Sequence, residues 1–194
     1  MKCSFYRILA LGLGLLITTG LGAQEFPDLD KSPLDIAYYP SRAAFRAFAD
    51  SEEQKQANMP VIKVVYSRPQ MNGREVFGQL VPYDKVWRAG ANESTEIKFF
   101  EDVTIGGTEV PAGTYALFIE PSAEEWRIII NESTDNWGAF AYEADMDVAS
   151  VTVPVETLDD PVEAFSIVFE KSEEGAHMIM AWENSLVRVP VEFE

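Results

Sequence analysis

After Pro60 the apolar and polar residues of the chain alternate with a period of two over a series of short segments. Tyr115, Leu117 and Ile119, for example, fall on one face of an extended strand, and the side chains between them fall on the other face. The alternation predicts strands at 61–67, 96–99, 103–105, 109–110, 115–119, 126–130, 151–155, 165–169, 178–182 and 187–193.

Turn residues separate these strands, and their spacing favours an all-β fold. Gly106 and Gly107 form a two-residue turn signal between two predicted strands. Strands that recur about every eight to twelve residues are typical of a sandwich or a barrel, and no alternation of strands with helices is present. We therefore predict a single antiparallel β-sandwich, with a barrel as the alternative.

The region before these strands has a different composition. Residues 24–40 are rich in proline and are predicted to be extended, and Phe45 and Phe48 are spaced for one face of a short helix within 41–58. The predicted organisation is a leader over 1–23, an extended N-terminal segment with a short helix over 24–59, and a β-sandwich domain over 60–194.

Residues 1–23 have the pattern of a secretory signal peptide. Lys2 and Arg7 precede an apolar run over 8–18, and small residues then lead to Ala23. The run is shorter than the roughly twenty apolar residues of a spanning helix, and Cys3 precedes it, whereas a lipid-bearing cysteine would follow. We expect cleavage near Ala23, no transmembrane segment after cleavage, and a periplasmic or secreted protein.

Charge and residue usage exclude several classes of function. Removal of the leader takes away Lys2 and Arg7, two of the 15 basic residues, and leaves 13 basic against 32 acidic residues, a net charge of −19. Such a surface repels phosphates, so no nucleic-acid partner is expected. Cys3 and His177 are the only cysteine and histidine, which argues against thiolate chemistry, histidine-based metal sites and Ser-His-Asp catalysis. We expect no cofactor and no metal site.

The stretch YSRPQMNGREVFGQLVPYDKVWRAGANESTEIKF resembles an uncharacterised family of exported bacterial proteins, the domain of unknown function 2911 (DUF2911) family. The resemblance continues through DVTIGGTEVPAGTYALF and extends to the closing Trp182 and the segment 187–190; near the start of the mature chain, SPLDIAYYP also fits. It implies a periplasmic or envelope setting in a bacterium with two membranes. It implies no activity.

The densest polar grouping lies over 87–95, between apolar flanks. Arg88 offers a planar fork of donors for a carboxylate, a phosphate or a sugar hydroxyl. Trp87 would supply a flat ring face, Asn92 both donates and accepts hydrogen bonds, and Glu93 adds a carboxylate. The alternative is structural, with Arg88 and Glu93 forming an ion pair and Asn92 fixing a turn.

Two further groupings are weaker candidates. Arg68 and Arg74 lie in the loop after the first strong strand, where basic residues of an acidic chain commonly balance local carboxylates. Trp137 follows a loop and is a candidate for an aromatic wall, although packing is the default for such residues. The tentative binding residues are Trp87, Arg88, Asn92, Glu93, Arg68, Arg74 and Trp137.

These residues leave three functions open. We favour a non-catalytic envelope module that binds a glycan or another protein. The first alternative is a carboxylate-dependent saccharide hydrolase, with Glu93 paired with Glu143 or Asp147 across a cleft. The second is a structural or assembly protein without a small-molecule site. No catalytic residue is assigned.

Overall fold

The computed structural model describes residues 25–193, and the predicted leader over 1–23 lies outside them. Two antiparallel sheets, of six and four strands, face each other. In chain order the strands are β1 (Leu34–Tyr39), β2 (Ile62–Ser67), β3 (Thr95–Phe99), β4 (Val103–Ile105), β5 (Thr108–Val110), β6 (Gly113–Pro121), β7 (Glu125–Asn131), β8 (Asp147–Pro154), β9 (Glu156–Lys171) and β10 (Gly175–Glu192). The predicted sandwich is confirmed, and among these strands no barrel closes. No helix within the described residues is long and apolar enough to cross a membrane.

The larger sheet has the strand order β1-β2-β3-β6-β7-β8, and its register determines which residues face the core. Ala37 pairs with Val64, Val64 with Ile97, and Ile97 with Tyr115. Residues of this row point toward the second sheet, because side chains directly opposite each other in a ladder lie on the same face. The side chains between them form the outer face of the sandwich.

The smaller sheet has the order β5-β4-β10-β9. The predicted turn at Gly106 and Gly107 joins β4 to β5, and both glycines have the positive φ that a tight hairpin requires, 58° and 78°. The prediction of separate strands at 178–182 and 187–193 is wrong. One long strand, β10, covers both, and its register shifts around Glu183, where φ is 55°.

An aromatic cluster fills the space between the sheets. The rings of Trp87 and Trp182 stack with their centroids 5.8 Å apart and their planes at 22°. Phe165 packs against both indoles, and Phe77 meets Trp126 at 4.7 Å. Burial of such large side chains from both sheets accounts for much of the stability of a domain that has no cysteine after residue 3.

The N-terminal region contributes more to the fold than the sequence predicted. The stretch expected to be merely extended contains β1, which forms an edge of the larger sheet. The helical stretch is divided into a 3-10 helix, Ser41–Phe48, and a short α-helix, α1 (Glu52–Ala57). The division falls at Ser51, whose Oγ accepts a hydrogen bond from the Gln54 backbone N–H at 3.2 Å and begins the second helix.

Candidate functional site

A groove of about 1040 Å³ lies on the outer face of the larger sheet. Its floor is formed by β2 and β3, where Val65 and Ser67 lie on the outward side of β2 and Glu96 pairs with Val65. Four separate segments line it. Its lining residues are Leu29, Asp30, Lys31, Ser32, Pro33, Leu34, Val65, Tyr66, Ser67, Gln70, Asn72, Asn92, Glu93, Ser94, Glu96, Asp135 and Trp137.

The first wall of the groove is the segment that leads into β1. Leu34 pairs with Ser67 in the ladder between β1 and β2, and the Pro33 carbonyl accepts a hydrogen bond from the Arg68 N–H at 3.0 Å. The Asp30 carboxylate accepts a bond from the Ser32 N–H at 2.7 Å, which folds the segment locally. This wall is therefore attached to the sheet at its β1 end.

The opposite wall consists of the loop before β3 and the segment between β7 and β8. Glu93 and Trp137 form an antiparallel bridge, flanked by bonds from the Gly138 N–H to the Asn92 carbonyl at 2.9 Å and from the Ser94 N–H to the Asn136 carbonyl at 2.8 Å. Gly138 has φ 71°, in the region that favours glycine. The bridge places the Glu93 and Trp137 side chains next to each other on one face.

Residues 132–146 are held on the sheet by a polar network around Asp147. Its carboxylate, 15% exposed, accepts bonds from the Tyr142 hydroxyl at 2.9 Å, from Arg127 Nη2 at 3.1 Å and from Asn131 Nδ2 at 2.9 Å. Burial raises the pKa of Tyr142, and the bond to Asp147 raises it further. The tyrosine ring also packs on Phe118 at 5.2 Å. This network fixes the position from which Trp137 reaches the groove.

The structure brings three of the predicted residues together at the groove, Asn92, Glu93 and Trp137. Trp137 is 64% exposed, so its indole is available to a ligand. Between them lies a residue that the sequence did not single out, Ser94. It is 6% exposed, and its Oγ is buried with no hydrogen-bond partner among the described residues. A buried hydroxyl of this kind is uncommon and favours a ligand contact.

Trp87 does not lie at the groove, and its predicted role as a ring platform is corrected. The residue is 7% exposed and packs between Phe77, Phe165 and Trp182 in the core. Its Nε1 donates to the Gly90 carbonyl at 3.0 Å. The indole therefore shapes the loop from the inside and has no free face.

Arg88 lies near the groove without lining it. Its Nε is buried and has no hydrogen-bond partner within the part of the chain that the structure describes, and burial lowers the pKa of the guanidinium group. The alternative of an ion pair with Glu93 is not realised, because no ion pair within residues 25–193 involves Arg88. Its backbone carbonyl accepts a hydrogen bond from the Thr95 N–H at 3.1 Å.

Arg68 and Arg74 are structural in this geometry, and neither lines the groove. Arg68 pairs with Asp35 at 2.9 Å and donates to the Phe165 carbonyl and the Ser166 hydroxyl, which links β1, β2 and β9. Arg74 donates to the carbonyls of Met71 at 2.8 Å and Gln70 at 2.6 Å. It therefore stabilises its own loop.

The carboxylate pairs that a hydrolase would have used are also not formed at the groove. Glu143 and Asp147 do not line it, and the Asp147 carboxylate is engaged with Arg127 and Tyr142. Glu96 is the second glutamate that lines the groove, together with Glu93.

The sequence contains one signal for the outer face of the larger sheet. The adjacent valines at 64 and 65 indicate a strand with apolar side chains on both faces.

The comparisons with known proteins identify the family. The family model described as protein of unknown function (DUF2911) matches residues 49–191, most of the chain, and the chain therefore belongs to this family. No curated protein and no solved structure matches it. The resemblance seen in the sequence is confirmed, and any function has to be argued from the groove.

Proposed function

We propose that this member of the DUF2911 family is an exported, non-catalytic binding module that holds a saccharide in the groove. The observation that carries the proposal is the exposed indole of Trp137 beside Asn92 and Glu93 on the rim of the groove. Sugars bind to proteins through a flat aromatic face together with planar amides and carboxylates that pair with hydroxyl groups. The signal-like leader supports export to the periplasm or beyond.

The size and support of the groove fit this role. A volume of about 1040 Å³ lies at the upper end of ligand sites, so it accommodates several sugar rings. Its floor is hydrogen-bonded sheet, and its Trp137 wall is fixed by the bridge to Glu93 and by the network at Asp147. A rigid site of this kind loses little entropy when it binds a ligand.

The test is a glycan array with the mature chain, beginning at Gln24, followed by titration of the best ligand. Trp137→Ala should weaken binding by about tenfold or more, which corresponds to about 1.4 kcal/mol. Phe140→Ala is the matched control, because Phe140 is 91% exposed in the same segment and does not line the groove. Equal binding by both variants, or binding of no glycan, would overturn the proposal.

Glu93→Gln separates binding from hydrolysis. A binding module releases no product from its ligand, and the variant should change only the affinity. Release of shorter saccharides by the wild-type chain, abolished in Glu93→Gln while the ligand is still bound, would favour the hydrolase instead. Capture of a single envelope protein in a pull-down, with no glycan bound, would favour the assembly role.

A further inference from the structure

The groove carries an uncompensated negative charge. Four carboxylates line it, from Asp30, Glu93, Glu96 and Asp135, against the single cation of Lys31. None of these five side chains forms an ion pair within residues 25–193. The hydrogen bonds that Asp30 and Asp135 accept come from neutral donors, the Ser32 N–H and the Thr134 hydroxyl, so both charges remain.

Two arginines elsewhere in the sandwich each form ion pairs with two carboxylates. Arg127 bridges Glu120 and Asp147, and Arg188 bridges Glu156 and Glu170. Each of these cations contacts two acids, whereas none of the arginines between residues 25 and 193 lines the groove. A concave site with an excess of one sign of charge attracts groups of the opposite charge.

The Trp137 wall is suited to a cation as well as to a sugar ring. The bridge sets the Trp137 and Glu93 side chains on the same face, where directly paired residues have Cβ atoms about 5 Å apart. A cation above an indole face is attracted by the ring electrons, and tryptophan is the best of the aromatic residues for this contact. An ammonium group bound between these two side chains would contact both the indole ring and the negatively charged carboxylate.

Ser94 supplies an independent indication that a polar ligand enters. Its Oγ has no hydrogen-bond partner in the described part of the chain, although the residue is 6% exposed and lines the groove beside Glu93. A hydroxyl left unpaired in this way is costly unless a ligand completes it. Either an ammonium or a sugar hydroxyl would do so.

From these observations we infer that the groove selects a saccharide bearing free amino groups, and this inference rests on the proposed function. The ammonium groups bind among Glu93, Asp135 and Glu96, and a sugar ring lies on Trp137. A neutral or N-acetylated saccharide packs on the Trp137 ring but forms no ion pair with the carboxylates, and therefore binds more weakly.

The experiment compares two glucosamine oligomers of equal length, one fully N-acetylated and one with free amines, by calorimetry with the mature chain at mildly acidic pH. The free-amine oligomer should bind about tenfold more tightly, and added salt should reduce this preference because it screens the charges. Glu93→Gln and Asp135→Asn should each reduce the preference severalfold, because each removes a carboxylate that pairs with an ammonium group. Glu101→Gln is the control, since it removes one exposed acid outside the groove.

The outcomes separate this inference from the proposed function. Equal binding of the two oligomers, or binding of neutral glycans alone, would overturn the selection for amines and leave saccharide binding intact. Absence of binding to any saccharide would overturn both. A lysine oligomer of equal charge that binds as tightly, with the same dependence on Glu93, would show that the groove recognises a cationic peptide and would also overturn the inference.

Discussion

The outer face of the larger sheet has two halves, one covered by other segments of the chain and one open to solvent. Over β6 and β7, Ala116, Phe118 and Ile129 are fully buried beneath Ala139 and Tyr142 of the segment 132–146 and Val86. Over β1 to β3 the same face is open and forms the groove. One row of the ladder crosses the boundary, where the partly exposed Glu96 pairs with the buried Ala116.

The difference shows how one sheet supports both a packed apolar layer and an open groove. The covered half is apolar at its centre and polar only at its edge, where the carboxylate of Asp147 is fully partnered. The open half combines Val65 with Ser67 and Glu96, a mixture that tolerates water and forms the floor of the groove. The segment 132–146 serves both halves, since Tyr142 covers one and Trp137 borders the other.

The largest expected effect is on the covered half. Phe118→Ala removes a fully buried ring and should lower the free energy of unfolding by about 3–5 kcal/mol. Val65→Ala, on the partly exposed floor of the groove, should cost only about 1 kcal/mol. Urea unfolding of the two variants measures both. Equal losses would show that the two halves do not differ in packing.

Removal of the Asp147 carboxylate should have the next largest effect. Asp147→Ala deletes the acceptor for Tyr142, Arg127 and Asn131 and should cost about 2–3 kcal/mol. Limited proteolysis should then cut within 132–146 faster than in the wild type. Glu124→Ala is the control, because the Glu124 side chain is exposed and forms no ion pair among the described residues. Unchanged protection of 132–146 would contradict the anchoring role.

Local pattern was sufficient to predict the inward face of the sandwich. Tyr115, Leu117 and Ile119 alternate as expected, and the turn at Gly106 and Gly107 was recognised from two residues. The covered outer face was missed, although unbroken apolar runs at 116–119 and 128–130 indicate strands buried on both sides. Nothing periodic in 132–146 shows that it is the cover.

The groove could be predicted only in part, because it joins segments about a hundred residues apart in sequence. Asn92, Glu93 and Trp137 were identified from residue chemistry, but Ser94 and Asp135 carry no distinctive local signal. Trp87 was misplaced because a glycine-containing polar stretch resembles a surface loop. Its stacking on Trp182 depends on the packing of one sheet on the other, which local sequence does not encode.

Alkaline pH should loosen the covered half. Burial and the bond to Asp147 raise the pKa of Tyr142 above its ordinary value of 10.0, so this tyrosine contributes stability below pH 10.0 that is lost as the pH rises through the higher value in the fold. Tyr142→Phe should cost about 1.5 kcal/mol at neutral pH and make the melting temperature fall less steeply above pH 10.0. Thermal melts of the wild type and the variant at a series of alkaline pH values test this prediction. An identical dependence of the melting temperature on pH in both proteins would contradict the role given to Tyr142.

The smallest effects concern two neighbouring hydroxyls, one at the groove and one inside the sandwich. Thr95 Oγ1 donates to the Ala89 carbonyl at 2.7 Å, so Thr95→Val should cost about 1–2 kcal/mol by leaving that carbonyl unpaired. Ser94 Oγ has no hydrogen-bond partner among residues 25–193, and Ser94→Ala should leave stability unchanged or raise it slightly. Under the proposed function, the same Ser94→Ala variant should weaken ligand binding, because the ligand would pair with this hydroxyl. Chemical denaturation measures the stability of both variants, and titration measures their affinity for the ligand. A clear loss of stability in Ser94→Ala would show that this hydroxyl stabilises the fold without any ligand.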